Sequence, residues 1–126
     1  RAWDMAQLDP RAPGSIGLVE AHGTGTPAGD TSEVATLTRI FGPEQGGSSR
    51  AGLGSVKSMI GHAMPAAGIA GLIKAVLALW HETLPPTLHC DDPREELAAS
   101  RFRTIAQAEP WDESAPGVLQ GAPEAK

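Results

Sequence analysis

An α/β fold with parallel strands and crossover helices is the architecture this sequence predicts, and three observations predict it. Residues 15–21 (SIGLVEA) and 52–60 (GLGSVKSMI) are short apolar runs suited to buried strands. A capped helical segment lies between them, and a second helix with clear 3.6-residue periodicity follows. The resulting order of strand, helix, strand, helix calls for parallel pairing, because parallel strands need a long connection.

Each element has its own signals. Residues 1–14 are polar and proline-bearing, a helix end followed by a loop; the start, Arg1-Ala2-Trp3-Asp4, reads as an internal cut. After the first strand comes the turn His22-Gly23-Thr24-Gly25-Thr26-Pro27. Asp30 reads as the next helix's N-cap, with Glu33 completing a capping box. Val34, Leu37, Ile40 and Phe41 share one side of that helix, and Gly42-Pro43 stops it. Residues 44–50 read as a surface loop, and Gly61-His62 turns the chain after the second strand. From 65 to 81, Ile69, Leu72, Ile73, Val76, Leu77 and Trp80 form one apolar face, while Ala66, Ala67, Gly68, Ala70 and Gly71 admit a close neighbour. A helix packed between layers is expected. Residues 84–88 are extended, Asp91-Asp92-Pro93 turns, 94–100 forms a short helix, 102–105 a strand, and 112–126 a disordered tail.

Composition narrows the function. With 126 residues the chain has room for one domain. A hydrophobic share of 40% and a charged share of 20% describe a globular protein rather than a disordered one. Tyr is absent, so Ala, Leu, Ile and Val must build most of the core. Ten basic against fifteen acidic residues give a net charge of −5 with no basic run, which argues against a nucleic-acid groove or a membrane-surface patch. A membrane span over 63–80 is disfavoured by Pro65 and by Lys74, since a central lysine costs roughly 2.5–3.5 kcal/mol on insertion. The single cysteine and the absence of a signal peptide lead us to expect a cytoplasmic setting.

Two histidines carry the candidate chemistry. His22 ends an apolar strand beside glycines, where parallel α/β proteins place ligand crevices. It is either a catalytic group or a turn histidine bonded to a carbonyl. His62 repeats the arrangement, and adjacent parallel strands would bring both imidazoles to one crevice. Lys57, within the second strand, is either an electrostatic organiser paired with Glu20, Asp30 or Glu33, or a solvated residue on an edge strand. The Gly52-to-Ser58 stretch is no phosphate loop, because Val56 stands where that loop has glycine. His89 next to Cys90 matches no common zinc spacing, so no metal is expected. Cys90, without a glycine elbow or nearby base, reads as structural or incidental.

The stretches Val19-Glu20-Ala21-His22-Gly23-Thr24-Gly25-Thr26-Pro27 and Lys57-Ser58-Met59-Ile60-Gly61-His62 resemble the two histidine motifs of β-ketoacyl synthases. Residues 66–74 resemble the helix after the second motif in polyketide synthases, and 84–89 the segment that follows. The likeness runs from about Ile16 to Trp111. It implies the second, C-terminal half of a thiolase-like fold, incomplete here, with 1–14 as lead-in and 15–111 as the ketosynthase portion. It also implies decarboxylative condensation of an acyl thioester with a malonyl-type extender on an acyl carrier protein, usually in a homodimer. By that resemblance His22 and His62 are catalytic and Lys57 supports them. Thr24 and Thr26 contact the carrier's phosphopantetheine arm, Gly23 and Gly25 leave room for it, and Asp30 and Glu33 are supporting acids. No cofactor of the chain's own is implied.

The chain also departs from the family pattern. Thiolases follow the second motif with proline, where Ala63 stands, and initiating enzymes replace one histidine by Asn, so the resemblance is to elongating synthases. Gly71 stands where some fatty-acid synthases carry an acid, which leaves Lys57 dependent on Asp30 or Glu33. Neither the nucleophilic Ala-Cys-Ser motif nor the Gly-Phe-Gly-Gly-type segment is present. The chain is therefore expected to be a fragment, a truncated product or part of a split protein, with sheet edges and apolar helix faces uncovered. In isolation it should be inactive and poorly stable or self-associating. It is either a catalytic half-site completed by the remaining ketosynthase, or a non-catalytic remnant acting as an interaction module.

Overall fold

The computed structural model describes residues 1–43 and 50–111. The expected loop over 44–49 and the tail over 112–126 lie outside the described residues. In chain order the elements are α1 (Ala2–Met5), β1 (Leu18–Glu20), α2 (Pro27–Phe41), β2 (Ala51–Gly54), α3 (Lys57–Ile60), α4 (Ala67–Trp80), β3 (Thr83–Leu84), α5 (Glu95–Ala98), β4 (Phe102–Arg103) and β5 (Glu109–Pro110), with a 3₁₀ turn at Met64–Ala66.

The expected parallel sheet is present, in the order β1-β2-β4. Leu18 pairs with Gly52, Val19 with Leu53 and Glu20 with Gly54, while Ala51 and Gly52 pair with Phe102 and Arg103. A separate antiparallel pair joins β3 to β5. Gly52 suits the centre of this sheet because a Cβ there would lie 2.6 Å from Ile105 Cδ1 and 3.2 Å from Leu18 Cδ1.

Among the described residues two clusters form the core. Val34, Phe41, Ala51, Leu97 and Phe102 make one, with the Phe41 ring edge-on to Phe102 at 5.5 Å. Ala78, Leu84, Ile105 and Trp111 make the other, joined by Leu18. The buried Arg101 guanidinium donates to the carbonyls of Pro10, Ala12 and Phe41, fastening the lead-in segment to the end of α2. Arg50 donates to the carbonyls of Leu97, Ala98 and Ser100 around the end of α5.

Four local expectations are corrected. The second strand stops at Gly54, and 57–60 is a helical turn, so Lys57 is not a strand residue. The N-cap of α2 is Thr26, with Pro27 in the first helical position, and Asp30 sits in the first turn. The short helix covers Glu95–Ala98 and the late strand only Phe102–Arg103. The largest difference concerns α4. Its buried residues are Gly71, Lys74 and Ala78, whereas Ile69, Leu72, Ile73, Val76, Leu77 and Trp80 are exposed. The sheet packs against the face of small residues, which lets β1 come close, and the apolar stripe points away. The expectation of uncovered helix faces therefore holds, while that of a helix buried within this chain does not.

Candidate active site

Both histidine segments leave the sheet at the carboxyl ends of neighbouring strands. β1 ends when the Ala21 N–H donates to the Gly54 carbonyl at 2.7 Å, and His22 follows. Gly23 then turns the chain at φ 47°, and a Cβ there would lie 2.7 Å from Ser55 Cβ, so both conformation and space favour glycine. The other segment runs through α3, turns at Gly61 (φ 75°) and presents His62. The two imidazoles meet edge to face with centroids 5.8 Å apart.

The carboxylates on α2 hold the first loop. Glu33 accepts the N–H of His22 at 2.7 Å through one oxygen and that of Gly23 at 2.8 Å through the other. Asp30, one helical turn earlier, accepts the Gly25 N–H at 3.2 Å. Both acids are thus occupied by backbone donors. Lys57 pairs with neither of them, nor with Glu20; its ammonium donates to the His22 carbonyl at 2.6 Å. That bond is charge-assisted and therefore stronger than a neutral one. Ser55 Oγ donates to the same carbonyl at 3.2 Å. The carboxylate partner expected for Lys57 is replaced by a backbone carbonyl.

His62 is oriented by its own backbone. The Met64 N–H donates to His62 Nδ1 at 3.0 Å, so the neutral ring carries its proton on Nε2. Among the described residues the His22 ring nitrogens make no hydrogen bond; its backbone is held, its ring meets that of His62, and His22 itself does not line the crevice beside it.

The crevice beside these groups has a volume of about 780 Å³. Gly23, Thr24, Gly25, Asp30, Glu33, Lys57 and His62 line it. Thr26 lies just outside, its hydroxyl 3.3 Å from that of Thr24. Cys90 also lines the crevice. Burial, and then the carboxylates of Asp91, Asp30 and Asp92, push its thiol pKa up, the opposite of what an attacking thiolate needs. Among the described residues no three His, Cys, Asp or Glu side chains group to hold a metal, and no helix is long and apolar enough to cross a membrane.

Sequence reasoning missed Ser55 and the pairing of Glu20 with Lys74. The second was detectable: a lysine in an apolar helix and a glutamate in an apolar strand each need a partner of opposite charge.

Comparisons with known proteins agree with the fold. A family model described as the C-terminal domain of β-ketoacyl synthases matches residues 1–91. The pikromycin polyketide synthase component PikAIII of Streptomyces venezuelae is 42% identical over 113 residues, which is 88% of this chain and 7% of that protein. The oxazolomycin ketosynthase domain OzmH KS7 of Streptomyces albus superposes with a TM-score of 0.76 at 41% identity, covering 87% of this chain and 19% of that one. The ketosynthase from module 6 of the bacillaene synthase of Bacillus subtilis gives a TM-score of 0.74 at 35% identity, covering 89% and 20%. This chain therefore spans only a small part of each relative.

Proposed function

Because the chain belongs to the β-ketoacyl synthase family, as part of its C-terminal domain, we propose that it supplies the two-histidine half of a polyketide-type condensation site. Residues 15–111 form the ketosynthase portion, and 1–14 lead into it. The cysteine that carries the growing acyl chain comes from the remaining ketosynthase, which also covers the exposed face of α4. The partners are that remainder, a second copy as in the family's usual homodimer, and an acyl carrier protein.

In the reaction, the bond between the extender's carboxyl group and its α-carbon breaks and carbon dioxide leaves. The electron pair moves onto the thioester oxygen as an enolate. The α-carbon then attacks the acyl thioester, forming the new carbon–carbon bond and releasing the cysteine thiolate. The charge that develops on the enolate oxygen is the chemical difficulty, and fixed N–H donors stabilise it more than they stabilise the ground state.

One observation carries this reading: two imidazoles with centroids 5.8 Å apart, on the segments that follow β1 and β2, one of them with its proton fixed on Nε2. Two hydrogen bonds of about 2.9 Å to one oxygen require donor nitrogens no more than about 6 Å apart, and rings whose centroids are 5.8 Å apart can turn a nitrogen each to within that limit. Lys57 and Ser55 support His22 through its carbonyl, and Glu33 through its N–H. Thr24 and Thr26 stand beside Gly23 and Gly25 to receive the phosphopantetheine arm, with Asp30 steadying that loop through the Gly25 N–H.

The test is malonyl-carrier decarboxylation by the chain combined with the cysteine-bearing portion. His22→Ala and His62→Ala should each lower the rate by roughly 10²–10³, the cost of losing one such donor. Unchanged rates in both variants would remove the catalytic reading and leave the interaction module.

A further inference from the structure

Glu20 and Lys74 form a largely buried ion pair that touches neither histidine, yet it links the two segments that carry them. Lys74 Nζ donates to Glu20 Oε2 at 2.8 Å, with the two side chains 8% and 16% exposed. The other oxygen, Oε1, accepts the Val56 N–H, just before Lys57. Glu20 is two residues from His22 in sequence, and Val56 adjoins the lysine that holds the His22 carbonyl. Lys74 lies on α4, the helix reached directly from His62 through the Met64–Ala66 turn. One carboxylate thus ties the end of β1, the start of α3 and the body of α4 together.

The surroundings accommodate this pair. A Cβ at Gly71 would lie 3.0 Å from Glu20 Cγ, and one at Gly54 would lie 3.0 Å from Lys74 Nζ and 3.3 Å from Thr87 Oγ1. Two glycines, one on the helix and one on the strand, leave the space in which the charges meet. A buried pair is costly to desolvate and earns little net stability over an apolar replacement. Its geometric role is therefore the more informative one. We infer that Glu20 and Lys74 are a positioning pair that fixes the separation of the His22 and His62 rings.

This inference rests on the proposed two-histidine site. Misplacing a reacting group by about 1 Å can cost roughly 10²-fold in rate. Acyl loading of the cysteine needs no oxygen shared between both imidazoles, so decarboxylation should fall while loading persists. The experiment uses the assembled ketosynthase and compares Lys74→Met, Lys74→Arg and Glu20→Gln, following malonyl-carrier decarboxylation and acyl loading separately. Lys74→Met should lower the decarboxylation kcat by about tenfold or more, with KM little changed and loading retained, and Lys74→Arg should restore most of it. Glu20→Gln keeps an acceptor for the Val56 N–H and should give the same split; it decides the matter if Lys74→Met does not fold. Equal loss of both half-reactions, or no loss in decarboxylation, overturns the positioning role. His22→Ala and His62→Ala in the same assay separate the cases. If they slow decarboxylation while the pair variants do not, only this inference fails. If they have no effect, the proposed function fails with it.

Discussion

The two sides of α4 are opposite in character. Towards β1 it presents Gly71, Lys74 and Ala78, all buried, with the lysine's charge met by Glu20. On the opposite side Leu72 is 58% and Trp80 80% exposed, among a row of equally large apolar residues. Water should cover the polar side and protein the apolar one if the chain were a finished unit. The reversal fits the proposal that the remaining ketosynthase covers the outer side, while the inner side serves the site. A further apolar hollow of about 610 Å³, lined in part by Met59, Ile60, Ile73 and Leu77, continues the uncovered surface.

The largest effect expected from this contrast comes from placing a charge on the outer stripe. Leu72→Asp should prevent productive assembly with the cysteine-bearing portion, because burying an unpaired carboxylate costs several kcal/mol. The same substitution should reduce self-association of the isolated chain, where Leu72 faces water. Analytical ultracentrifugation of the chain alone and pull-down with the complementary portion check both signs. Unimpaired assembly would mean that the outer face is not the joint. The chain's own core should respond without such a reversal. Phe102 is fully buried and packs against Phe41, so Phe102→Ala should cost about 3–5 kcal/mol in both the isolated and the assembled forms. Urea unfolding measures it, and a loss confined to the assembled form would show that this core is not independent.

The parallel sheet, both main helices and the meeting of the histidines were legible because each leaves a local trace. Short apolar runs, the Gly42-Pro43 stop and a histidine after each apolar run are short-range signals. The direction in which α4 faces was not legible, since periodicity marks an apolar stripe without naming what covers it. Among the described residues the stripe is left exposed. Lys57 was misplaced for a related reason: the apolar run 52–60 has the length of a strand, but Glu20 takes the Val56 N–H and the chain coils immediately afterwards. The partners of Lys57 and Glu20 are long-range, separated by 35 and 54 residues, and spacing along the chain does not order such pairs.

The smallest expected effect tests whether the crevice side keeps its order when the other face is bare. Cys90 is the only cysteine, so thiol labelling reports one position. Burial and three neighbouring aspartates hold its pKa above the ordinary value of 9.0 in the folded chain. A raised thiol pKa means less thiolate at a given pH, so alkylation by iodoacetamide should run slower in the folded chain than in urea. The rate in the folded chain should go on rising with pH above 9.0, where that of the unfolded chain begins to level off along the ordinary thiol curve. Folding then favours the protonated thiol, a contribution present below the unfolded value and lost as pH rises through the folded one. Coincident labelling curves would mean that the loop carrying Cys90, Asp91 and Asp92 does not close over the crevice in the isolated chain. The hydrogen bond from the Leu88 N–H to Ser58 Oγ at 3.2 Å, two residues before that cysteine, is the contact such a result would put in question.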